Sequence, residues 1–244
     1  MKKLLSGLIC LFVLFEINAQ TDIVNSEMLR NDLNNFASAE NSRFITAGSI
    51  PSFTPKEETM GSPYLFDKWA HGVVVSTCDS VYSNTVTLFN YNKVAGSLIM
   101  TQDKKTGIEL YLDKIKSFTL NADDKSYHFE HVTIINNKDF FLSLVKNGNK
   151  YSLYKLVKTK FIRSNYSTNG ITESGNKYDE YRDINTYYVV LSGGKEFRKI
   201  ELKNKSIKSA LKEDTSKVDD YMSRNSSNEL NEEFLAVLIT SLNQ

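Results

Sequence analysis

Tyr127-His128-Phe129-Glu130-His131 holds two histidines and a carboxylate in five residues, the spacing in this sequence that comes nearest to a metal site. On a strand successive side chains alternate, so His128 and His131 face opposite sides while His128 and Glu130 share one. Two ligands fall short of the three or four that zinc takes. No metal and no other cofactor is therefore expected, and these histidines read as surface or hydrogen-bonded residues. Nucleophilic chemistry has equally little to build on. There is no Gly-x-Ser-x-Gly elbow, and Thr77-Cys78-Asp79 carries no sign of an activated thiolate. His71, close to Trp69 and ahead of Cys78, is the one arrangement from which a cysteine–histidine pair would be assembled. Cys78 closely follows Val73-Val74-Val75, which reads more naturally as a buried small hydrophobe near a strand end. Phosphate-cradling glycine motifs are absent. Triads and carboxylate pairs can still assemble from distant residues, so a hydrolase stays as an alternative function.

The candidate binding residues are tyrosines. Tyr178, Tyr181, Tyr187 and Tyr188 fall within eleven residues. A tyrosine offers an apolar ring and a hydroxyl, so this group can form a sugar-stacking or partner-binding surface. The competing reading makes them cross-strand packing pairs. Lys146, Lys150, Lys155, Lys158, Lys160 and Arg163 are interleaved with Tyr151, Tyr154 and Phe161, a mixture that single-stranded nucleic acid can use. The charge balance argues against it. The chain has 30 basic and 29 acidic residues, which offers no global field for polyanions. Lysines on strand edges also serve to prevent edge-to-edge association, so no nucleic-acid partner is expected.

The elements that would position these residues follow an amino-terminal address. Lys2 and Lys3, the apolar run Leu4 to Phe15 and the exit Asn18-Ala19-Gln20 form a signal peptide over residues 1–20. Glu16 and Asn18 end the run short of the ~20 residues of a membrane span, so none is expected after cleavage. Cleavage also removes Cys10, leaving Cys78 alone and an intrachain disulfide out of reach. Residues 21–60 are polar, with a short amphipathic helix expected around Ser26 to Ala37 and a loop or linker over residues 40–62.

Residues 61–203 read as a β-rich domain. Expected strands are Val73–Val75, Thr85–Phe89, Ser97–Met100, Ile108–Leu112, Ile115–Leu120, Tyr127–Ile135, Phe140–Val145, Tyr151–Phe161, Tyr187–Leu191 and Phe197–Leu202. Asn147-Gly148 supplies the two positive-φ positions of a tight hairpin, and Gly193-Gly194 marks another. Between these hairpins Ser164 to Asp183 is a long polar excursion of the kind that is often functional. The period changes after Asn204. Residues 204–244 hold three short helices packed on the same domain, with Asp214 or Thr215 capping the second and Glu232 and Glu233 in the first turn of the third. The bases of Lys195 to Lys217 and the acids that follow read as two solvated, mutually attracting faces. The fold class is α+β, mostly β: an antiparallel sheet or sandwich of short hairpin-connected strands followed by a C-terminal helical segment.

Gly61-Ser62-Pro63-Tyr64-Leu65, then Trp69 and Gly72, then Phe89-Asn90-Tyr91-Asn92 resemble a pattern in a family of secreted proteins of Bacteroidota. The resemblance continues through Phe140-Phe141, Gly148, Tyr187-Tyr188, Leu211 and Tyr221. It implies export and a shared fold and carries no assigned activity. The expected function is an exported, non-enzymatic binding or structural protein of the cell envelope, secreted or periplasmic. An envelope glycan or a protein would be its partner, and a small-ligand carrier is the further alternative.

Overall fold

The computed structural model describes residues 59–146 and 148–244. The signal peptide, the helix expected over Ser26 to Ala37 and most of the linker lie outside the described residues. The described residues run through sixteen strands, β1 (Thr59–Met60), β2 (His71–Ser76), β3 (Val81–Ser83), β4 (Leu88–Asn92), β5 (Ser97–Thr101), β6 (Ile108–Glu109), β7 (Ile115–Ala122), β8 (Lys125–Val132), β9 (Asn136–Val145), β10 (Tyr151–Leu156), β11 (Thr159–Ile162), β12 (Ser167–Thr168), β13 (Glu173–Ser174), β14 (Asp179–Asp183), β15 (Thr186–Leu191) and β16 (Phe197–Ile200). Helices α1 (Asn204–Ala210), α2 (Thr215–Arg224) and α3 (Glu232–Leu242) close it. Eight strands form one antiparallel sheet in the order β16-β15-β10-β9-β8-β7-β2-β3. The mostly β, hairpin-connected architecture with terminal helices is thus the one the patterning implies.

One face of this sheet is capped twice. Over β2, β7, β8 and β9 lies the small antiparallel sheet β4-β5-β6. Phe118, Leu120, Phe129, Phe140 and Leu142 from below meet Phe89, Tyr91, Leu98 and Met100 from above. Their rings interlock, with Tyr91 and Phe118 each 4.8 Å from Phe129 and nearly parallel to it. Over β10, β15 and β16 lie the helices, whose Ile207, Leu211, Val218, Leu235, Leu238 and Ile239 cover Tyr151, Leu153, Val189 and Ile200. Each cap follows from periodicity, two for the strands and near 3.6 for the helices.

Polar groups fix the caps in place. The buried Asn90 side chain donates to the Phe66 carbonyl at 2.8 Å and accepts from the Phe66 N–H at 3.3 Å, stitching residues 62–70 along β4. Gly61 sits at positive φ against the Tyr181 carbonyl, and a Cβ at Gly72 would fall 2.8 Å from the Thr119 oxygen. The residues of the Gly-x-Pro-Tyr-Leu and Tyr-Asn pattern therefore meet along β4 and hold backbone. Asn243, just past α3, uses its side-chain amide like a strand, accepting from Lys150 and Tyr151 N–H and donating to the Tyr151 carbonyl.

Several expectations are corrected. Thr85 to Thr87 is not strand, because Asn84 Oδ1 accepts from the Val86 and Thr87 N–H groups and turns the chain there. The strand at Ile108 ends at Glu109, and Leu112 opens a 3-10 turn. Tyr151 to Phe161 is two strands in two sheets, and β8 stops at Val132. Thr59–Met60, expected as linker, pairs in parallel with β14. The β9–β10 hairpin forms, yet Gly148 is not at positive φ. Its lack of a side chain matters for space, since a Cβ would overlap the Tyr151 carbonyl oxygen and Asn243 Nδ2. Two tight turns have two positive-φ residues in succession: the expected Gly193-Gly194 between β15 and β16, and Asp123-Asp124, which joins β7 and β8 without any glycine. Asp214 stands at the start of α2 but makes no side-chain cap; its carboxylate turns inward to Lys150 and Tyr151. Asn231 does cap α3, accepting from the Phe234 N–H at 2.9 Å.

Candidate functional site

The other face of the large sheet has no cap among the described residues. Its buried cluster, Val132, Phe141, Tyr154 and Val190, is built only from the sheet and its turns, under Ile134, Ile135, Leu156 and Tyr188. Such single-faced covering is common for antiparallel sheets. Alternation brings a continuous row of side chains onto this open face. Tyr188 lies directly across from Tyr154 and packs edge-on against Phe141 at 5.8 Å. Phe197, 38% exposed, extends the row at 6.0 Å from Tyr188. The row then turns polar. Tyr154 donates its hydroxyl to Glu130 Oε1 at 3.2 Å, and Lys146 donates to Glu130 Oε2 at 2.8 Å. Lys146 Nζ also lies 2.9 Å from His128 Nε2, whose Nδ1 is 2.9 Å from Thr119 Oγ1. Ser143, opposite Tyr154 on the same face, has a buried hydroxyl with no partner among the described residues.

The electrostatics follow from this wiring. Burial alone would push the Glu130 carboxyl up; hydrogen bonds from His128 and Lys146 outweigh it and bring it down to about 2. The Tyr154 phenol is pushed up to about 12 by burial and by the adjacent Glu130 charge. The arrangement is an ionised carboxylate held among donors beside flat rings: good hydrogen-bonding chemistry for a hydroxylated ligand.

The four candidate tyrosines part company. Tyr178 is exposed at 47% on the excursion. Tyr181 is on β14, in the three-stranded sheet β1-β14-β11, with its ring against Phe161. Tyr187 points under the helices and donates to Glu232 Oε2, which also meets Lys155 at 2.5 Å. Tyr188 alone joins the open-face row. His128 and Glu130 share a face and approach within 3.5 Å, while His131 turns away to the Asp139 carbonyl and the Phe140 ring.

His71 opens β2 and Cys78 lies in the turn beyond its far end, so about 16 Å of extended strand from His71 to Ser76 separates them. The expectation of a buried Cys78 is corrected: the thiol is exposed, because β2 ends in a register shift at Ser76 and the Ser76–Ser80 turn carries residue 78 outward. Lys146, Tyr154, Thr119 and Phe197 are the residues of the row that sequence reasoning did not assemble. Their visible traces were the same-face spacing of His128 and Glu130 and the basic–aromatic mixture that contains Lys146 and Tyr154. No group of three or more metal-ligating side chains occurs among the described residues.

No helix of the described residues is long and apolar enough to cross a membrane. Comparison of the chain with protein-family models, with curated proteins and with solved structures finds no match.

Proposed function

We propose that this is an exported, non-catalytic binding protein of a bacterial cell envelope and that its ligand is an envelope glycan taken up on the open sheet face. Export rests on the basic, apolar and small-residue succession of residues 1–20. The resemblance to secreted proteins of Bacteroidota points the same way. The observation that carries the binding reading is the row from Phe197 and Tyr188 to Glu130, His128 and Lys146 on the uncapped face. Rings offer flat apolar surface to the C–H faces of a sugar, and the polar end offers acceptor and donor within one sugar's width. One carboxylate and one ammonium in contact leave the row without a strong field, which suits hydroxyls better than a polyanion.

The test is a panel of purified envelope glycans, scored by thermal stabilisation of the chain. A ligand that binds only the folded form raises stability by about 2.7 kcal/mol at a hundredfold excess over its Kd. Tyr188→Ala should abolish the shift and Tyr178→Ala should leave it intact. Stabilisation by no glycan, or equal loss with both variants, would sink the reading.

A further inference from the structure

The geometry points to a proton-operated exchange of partners at His128: the neutral ring holds Lys146, and the protonated ring releases Lys146 and turns to Glu130. His128 Nε2 lies 2.9 Å from Lys146 Nζ and 3.5 Å from Glu130 Oε2. An ammonium has only donors to offer, so the shorter contact requires a lone pair on Nε2. The ring proton then sits on Nδ1 and is donated to Thr119 Oγ1 at 2.9 Å.

A proton taken from solvent at Nε2 removes that lone pair. Two cations then face each other at 2.9 Å, with a carboxylate beside them as the only acceptor Nε2 can reach in the cluster. Among the described residues, the groups that bond to His128 or to its partners are Thr119 from β7, Glu130 from β8 and Lys146 beyond the end of β9, with Tyr154 of β10 held on the far oxygen of Glu130. Glu130 stays ionised in both arrangements, since a cation, either Lys146 or the protonated ring, stands beside it in each and holds its carboxyl below the ordinary carboxylate range. Lys146 is the member free to leave, with its side chain 43% exposed against 21% for Glu130. The polar end of the row therefore has two arrangements, one for each protonation state of the ring. That the exchange tunes ligand uptake rests on reading this face as the binding surface; the exchange itself does not.

The experiment needs no ligand, so its outcome is separate from that of the glycan panel. Long-range proton–nitrogen NMR on the labelled chain reads the His128 tautomer, while the side-chain signals of Lys146 and Glu130 are followed through the same titration. Expected are an Nδ1–H ring at high pH and movement of Lys146 and Glu130 at the His128 midpoint, both lost in His128→Asn. Lys146→Met should raise the His128 midpoint and Glu130→Gln should lower it, each by about one pH unit. An Nε2–H neutral ring overturns the proposal. So does a Lys146 signal that ignores the His128 titration, or one that still moves in His128→Asn.

Discussion

The capped and open faces of the large sheet are made by alternate residues of the same strands, yet they carry opposite chemistry. On β8, Phe129 is fully buried between Tyr91 and Phe118, while its neighbours His128 and Glu130 bond to one another's partners in partial contact with water. On β15, Tyr187 disappears under α3 and Tyr188 joins the open row. The difference teaches that aromatic content does not mark a site here. Tyr151 and Tyr187 pack under the helices with bonded hydroxyls, whereas on the open face Tyr188 keeps partial contact with water beside the buried Tyr154.

Breaking the capped face should cost most. Phe129→Ala removes a ring from a three-ring stack and should destabilise the fold by about 3–5 kcal/mol in denaturant unfolding. Asp214→Ala should cost about 1–3 kcal/mol, because it strands the buried Tyr151 hydroxyl, while Lys150 can turn to water. A cost below half a kcal/mol for either would show that the caps do not carry the stability.

The open face should respond to pH and chemistry more than to truncation. The folded-state value of Glu130, about 2, lies below its ordinary 4.5, so its contribution is complete above pH 4.5 and is lost as pH falls toward 2. Glu130→Gln should therefore flatten the acid limb of a stability profile; an unchanged limb would mean that the cluster is not formed in solution. The smallest effect belongs to Cys78. The exposed thiol should react with a maleimide in the folded chain without a denaturant, and Cys78→Ser should shift stability by no more than about 0.5 kcal/mol. Slow labelling that awaits unfolding would restore the buried reading.

Local signals were legible where they were strong and self-contained. The Gly193-Gly194 hairpin, the strand periods and the three helices stand close to where the pattern put them. Turn chemistry was less legible. Asp123-Asp124 takes positive φ at both positions although glycine is the usual occupant, because register and burial on both flanks of β7 and β8 impose it. Gly148 was visible as important, but the reason, the approach of Asn243 from the far end of the last helix, was not.

The sequence by itself determined the element types, the alternation that puts His128 and Glu130 on one side, and the near-neutral charge that weighs against polyanions, because periodicity and composition are properties of the chain alone. Only the tertiary structure decided which side of each strand would be covered. Strand order and the placement of β4-β5-β6 and the helices set that, and they depend on contacts between residues far apart in the chain. The same long-range pairing carried Lys146 and Tyr154 to Glu130 and carried Tyr178, Tyr181 and Tyr187 away from Tyr188.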